Sequence, residues 1–132
     1  MKDFAYGFSK KIEGVGFDEA VAEVTAALKA EGFGVLTEID VSSTLKDKLG
    51  VDFRPYVILG ACNPPLAHQA VAAEPHIGLL LPCNVLVQAA AGGGAEVSVA
   101  DPKAMFSLVG NAAVAPIAED VERRLRRVLD AV

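Results

Sequence analysis

At 132 residues and a formal net charge of -5, the chain has the length of one domain, and residues 1–132 are read as a single one. A chain of this size buries roughly two-thirds of its unfolded surface, so it needs neither a disulfide nor a metal to fold. The acidic balance argues against a nucleic-acid binder, which carries a clustered basic face.

The opening residues alternate Phe4, Tyr6 and Phe8 against Ala5, Gly7 and Ser9, a period of two that predicts a strand, broken by Gly14 and Gly16. From Phe17 the apolar residues fall at Ala20, Val21, Val24, Ala27 and Leu28, the helical period. Asp18 and Glu19 occupy the first turn, where the helix dipole favours them, and Gly32 is the stop. Residues 35–41 read as a strand, with Ser42-Ser43 expected to cap a short helix ending near Gly50.

Residues 56–62 form a near-continuous apolar run, the pattern of a central strand buried on both faces. Asn63 then caps a helix whose first turn accepts Pro64 and Pro65 and which runs to about Ala73. Residues 77–89 look like one long strand, except that Pro82 demands an edge, a bulge or a break. Gly92-Gly93-Gly94 turns the chain into a hairpin with residues 96–99. Asp101 caps a helix starting at Pro102 and reaching Leu108. The last helix, from about Pro116, carries the apolar stripe Ile117, Val121, Leu125, Val128, Leu129 and Val132. Its acid-first pairs Glu119–Arg123, Asp120–Arg124 and Glu122–Arg126 each add a few tenths of a kcal/mol. The cluster Arg123, Arg124, Arg126 and Arg127, interleaved with these acids and Asp130, therefore reads as a solvated helix face.

Pro82, Asn84, Gln88 and the three glycines interrupt the uncharged stretch 75–95, so no run of about 20 apolar residues is left to span a membrane. The N-terminal residues show no apolar run of leader length, and there are only two cysteines. Together these predict a cytoplasmic chain with reduced thiols.

The chemistry is concentrated at two Cys-Asn corners, Cys62-Asn63-Pro64 and Pro82-Cys83-Asn84. If their strands are neighbours, both thiols lie at one end of the sheet, where asparagine amides and free N–H groups polarise a ligand. A thiol just before a helix N-terminus is also the kind whose pKa falls. Against this, free cysteine commonly packs as a small hydrophobe, and the C-x-x-C spacing of redox or zinc motifs is absent. His76 and Glu74 complete the candidate ligand-binding set of Cys62, Asn63, Cys83, Asn84, His76 and Glu74. With the thiols they make a metal site stereochemically conceivable, although the spacing matches no known ligand pattern. His68 reads as a solvent-facing helix residue. Gly14-Val15-Gly16 lacks the rest of a phosphate loop, no serine elbow is present, and no cofactor is expected.

Leu79-Leu80-Leu81 and residues 112–117, together with Phe4, Tyr6 and Phe8, predict an apolar face left over once the helices are placed. Such faces mark interfaces, and a homodimer is the commonest cover.

The runs Tyr56-Val57-Ile58-Leu59-Gly60-Ala61-Cys62-Asn63-Pro64-Pro65-Leu66-Ala67, Gly78-Leu79-Leu80-Leu81-Pro82-Cys83-Asn84-Val85 and Asp101-Pro102-Lys103-Ala104-Met105, with Phe17-Asp18-Glu19-Ala20 and Gly32-Phe33-Gly34-Val35-Leu36, resemble the prokaryotic domain-of-unknown-function family 302. The resemblance covers nearly the whole chain. It implies an α+β domain with one curved, mostly antiparallel sheet and helices packed on one face, a TATA-binding-protein-like architecture. It brings no established activity. The expectation is a small dimeric ligand-binding or accessory domain, with a small molecule as ligand and neither nucleic acid nor membrane as partner. The alternatives are a thiol-dependent enzyme or redox protein using Cys62 with Cys83, and a weak metal-binding protein.

Overall fold

The computed structural model describes residues 1–132. Six strands, β1 (Lys2–Phe4), β2 (Gly7–Ile12), β3 (Gly34–Asp40), β4 (Tyr56–Cys62), β5 (Cys83–Ala89) and β6 (Ala95–Ala100), form one open sheet in the order β1-β2-β6-β5-β4-β3. Every neighbouring pair is antiparallel. The helices are α1 (Phe17–Ala30), α2 (Val41–Leu49), α3 (Pro64–Ala73), α4 (Pro102–Phe106) and α5 (Ala115–Asp130), with 3-10 turns at Pro75–Leu80 and Ala112–Val114.

Strand alternation assigns the faces. The cross-strand row Leu59–Val85–Val99–Phe8 points to one side, as does Val57–Val87–Val97–Lys10. These apolar side chains meet Ala20, Val24 and Leu28 of α1 and Val121, Leu125, Val128 and Leu129 of α5 in one buried cluster. Lys10 stands on the same face because its ammonium has acceptors there. Its Nζ donates to the main-chain oxygens of Leu129 (3.0 Å) and Val132 (2.6 Å) at the end of α5, where a cation also complements the helix dipole. The opposite face carries the row Ile39–Ile58–Leu86–Ser98–Ser9 and has no helix over its centre. β4 is therefore interior to the sheet but not buried on both faces, as its unbroken apolar run had predicted.

Other sequence expectations change in detail. The opening strand is a hairpin, since β1 turns back at Ala5-Tyr6 to pair Phe4 with Gly7. The turn leaves Tyr6 70% exposed and sends Phe8 into the core, so Phe8 parts from Phe4 and Tyr6, which border one cleft on the other side of the sheet. The cap of α2 is Asp40, not the serine pair. Its Oδ1 accepts from the Ser43 amide (2.9 Å) and the Ser42 hydroxyl (2.8 Å), and those bonds hold its carboxyl below the usual range. The run 77–89 breaks at Pro82, giving a 3-10 turn and then β5.

In α5, Asp120–Arg124 (2.9 Å) and Glu122–Arg126 (3.2 Å) form as spaced, whereas Arg123 pairs with Asp120. Arg126 is less solvated than expected, lying 4.3 Å from the Phe8 ring centroid and pairing with Asp3. No helix is long and apolar enough to cross a membrane.

Candidate functional site

β4 and β5 are neighbours, and Ala61 sits directly opposite Cys83, so the two corners do meet at one end of the sheet. Asn63 ends β4 and starts α3. Its Oδ1 accepts from the Leu66 amide at 3.3 Å, which pins the first turn of α3 to the strand end. Pro64 and Pro65 fit that turn because their missing N–H groups would have had no helical partner.

A cavity of about 240 Å³ opens at this junction. Its floor is the sheet end, Ala61, Cys62 and Cys83. Leu66, Ala67 and Ala70 of α3 form one wall, and Phe106, Ile117 and Val121 another. Phe33 and Leu36 approach from the α1–β3 side, and Leu81 and Pro82 from the bend before β5. Leu36 is placed by a β-bulge. The register shifts between Val35 and Thr37, which leaves Leu36 outside the ladder and 66% exposed; bulges are a common way to re-aim a side chain beside a site. Of the 14 lining residues, 12 are hydrophobic and none carries a formal charge.

Both thiols are free and partly buried. Burial, with a smaller contribution from the nearby Cys62, pushes the Cys83 thiol from its ordinary 9.0 up to about 11. At neutral pH it is protonated, the opposite of what a nucleophile or metal ligand needs.

None of the remaining predicted site residues borders this cavity, although Asn84 shares a smaller neighbouring pocket with Cys83. Asn84, directly opposite Gly60, points by alternation to the other face and borders a shallow cleft with Tyr56, Leu86 and Gln88. His76 is exposed on the 3-10 turn, and Glu74 lies at the end of α3, accepting from Asn111 Nδ2 at 3.4 Å. Neither borders the cavity, and no three His, Cys, Asp or Glu side chains gather into a metal-holding group. In the sequence they group with the thiols as ligand types a metal accepts; the turn at 75–80 carries them away from the cavity.

Phe33, Leu36, Phe106, Ile117 and Val121 were not foreseen as wall residues. Their only signal was apolar character, which core and pocket share.

The family model described as "Domain of unknown function DUF302" matches residues 8–132. Among solved structures, the crystal structure of an uncharacterized conserved protein DUF302 from Bacillus stearothermophilus is similar, with a TM-score of 0.87 and 31% identity, covering 96% of this chain and 97% of that one. No curated protein matches.

Proposed function

The chain belongs to the DUF302 family, and we propose that it works there as a small-molecule binding module, a homodimer in the cytoplasm, with its ligand site in the cavity between α3, α5 and the Cys62–Cys83 sheet end. The cavity carries this reading. A dry apolar cavity of about 150 Å³ holds benzene, so about 240 Å³ has room for a ring with a short substituent. A lining of this apolar character with a few polar groups is the usual make-up of a small-molecule site.

Thiol catalysis is the less supported reading. A catalytic cysteine needs a base within hydrogen-bond reach, yet His68 and His76 are exposed and neither borders the cavity. Cys83, raised to about 11, is a poor resolving thiol.

The ligand site is tested by titrating the protein with an environment-sensitive apolar dye and competing it off with small aromatic compounds. Saturable binding that Ala67→Trp removes, with the thermal unfolding midpoint little changed, is the expected result, because the indole fills space that a ligand would use. An absence of saturable binding in the unsubstituted protein would sink the reading. The dimer is proposed to form through the sheet face that no helix covers, where Ile39, Ile58, Leu86, Tyr56 and Phe4 are grouped.

A further inference from the structure

Asn63 is the one side-chain amide on the cavity wall, and it is only 8% exposed. Its Oδ1 is committed to the Leu66 amide, and that bond also fixes which end of the amide is nitrogen, since only the oxygen accepts. Nδ2 donates to no group of the chain. It rests against the α1–β3 turn at Gly32, where a side chain would bring a Cβ within 2.9 Å of it. No fully enclosed side-chain nitrogen or oxygen in the chain lacks a partner, so Nδ2 keeps access to whatever occupies the space beside it. With no acceptor in the chain and surface left open, Nδ2 is free to donate to an acceptor that reaches Asn63 from the cavity it lines.

The other walls restrict what that acceptor belongs to. A helix N-terminus ordinarily attracts anions through its free N–H groups. In α3 that route is closed, because Pro64 and Pro65 have no N–H, the Leu66 N–H is taken by Asn63 Oδ1, and the Ala67 N–H donates to the Asn63 carbonyl at 2.8 Å. No Lys or Arg lines the cavity. The guanidinium near Gly32, that of Arg124, is directed to Asp120 Oδ1 (2.9 Å) and to the Glu31 carbonyl (3.2 Å). A carboxylate or phosphate buried here would meet no cation in the lining, and the nearby Arg124 is already neutralised by Asp120.

Resting on the binding reading above, we propose that the pocket selects a neutral, largely apolar molecule with one hydrogen-bond acceptor, a ketone or similar carbonyl compound, whose oxygen accepts from Asn63 Nδ2.

Three probes of similar size test this: acetophenone, ethylbenzene and benzoate. Each is titrated into the full chain and followed by amide chemical shifts. Acetophenone moves the Asn63 side-chain NH2 resonances and ethylbenzene does not, while benzoate binds at least about tenfold more weakly than acetophenone, as an unpaired charge would. Asn63→Asp keeps the capping oxygen but removes the donor. It weakens acetophenone by about 3- to 10-fold more than it weakens ethylbenzene, the range of one neutral hydrogen bond. Saturable binding of both neutral probes with the Asn63 amide unmoved and both weakened alike in Asn63→Asp would overturn the acceptor assignment while leaving the pocket in place. Benzoate binding as tightly as acetophenone would overturn the neutrality. If neither neutral probe binds the unsubstituted chain, the binding reading itself falls, and this inference with it.

Discussion

Cys83 begins β5 and lines the cavity with Leu81, Pro82, Ala61 and Phe106, and burial there favours the neutral thiol. The consequence for stability has a definite sign. Between pH 9.0 and about 11 the folded chain keeps a proton that the unfolded chain releases, so stability falls as pH rises through that window and is unaffected below it. The loss is on the order of 2 kcal/mol by the top of the window. Urea midpoints measured below pH 9.0 and again near pH 11 should therefore differ more in the parent protein than in Cys83→Ala. Alkylation of Cys83 should likewise stay slow until the pH approaches 11; rapid labelling at neutral pH would contradict the burial argument. At this scale the sequence was legible where one local bond decides the role. Asn63 was recognised as a cap because an asparagine before two prolines has few other uses. Asn84 looked equivalent, yet its placement depends on the pairing of Cys83 with Ala61, a fact about two strands. Lys10 was not legible at all, since its acceptors lie more than a hundred residues away in sequence.

At the scale of elements, the junction of β3, β4 and the bend at Leu81-Pro82 is held by an absence. A Cβ on Gly60 would lie 2.8 Å from Pro82 Cγ and closer still to Thr37 Oγ1, so both neighbours pack onto the bare backbone. Gly60→Ala is expected to cost about 1–3 kcal/mol through overpacking. Thr37→Ala in the same chain should recover part of that, because it removes one of the two clashing groups. Chemical denaturation of the two variants checks it; a single variant as stable as the parent would show that the junction yields freely. The strand 56–62 and the helices after it were read with nearly correct limits because apolar runs, Asn63 and Asp101 mark them locally. The β1–β2 turn was missed because Phe4, Tyr6 and Phe8 satisfy the alternation of one strand. What forces the turn is tertiary. Gly7 lets the Phe4 ring and the Val99 carbonyl approach to within 2.8 and 2.6 Å of where a Cβ would stand, and no local pattern reports that approach. The bulge at Leu36, which shapes the pocket rim, has the same origin in pairing between β3 and β4.

The whole molecule has two unequal faces, and the difference bears on the proposed dimer. α1 and α5 cover one side of the sheet, whereas the other, about 24 Å across six strands, has no helix over its centre. Along that side run Ile39, 51% exposed, then Ile58 and Leu86. They are flanked by Tyr56, Phe53 and Arg54, whose guanidinium stacks 4.5 Å from the Phe53 ring centroid and donates to Gln88 at 2.9 Å. Basic and acidic groups sit on the same face, Lys11 directly opposite Glu96, so a two-fold arrangement can bring unlike charges together. Of the segments expected on the leftover face, Phe4 and Tyr6 do border it, whereas Leu79 projects from the 3-10 turn at 87% exposure, and Phe8, Val114 and Ile117 enter the core. An apolar run locates exposed surface only once the sheet faces are known. A standard interface needs about 800 Å² per partner, roughly a ninth of the 7220 Å² surface. Sedimentation equilibrium of the parent chain should then give twice the 13.7 kDa chain mass. Leu86→Lys, which places a charge at the middle of the face and touches no core side chain, should shift that mass toward the monomer without lowering the unfolding midpoint of the monomer itself. A parent protein that sediments as a monomer throughout the micromolar range would remove the dimer and leave the pocket, on the opposite side of the sheet, untouched.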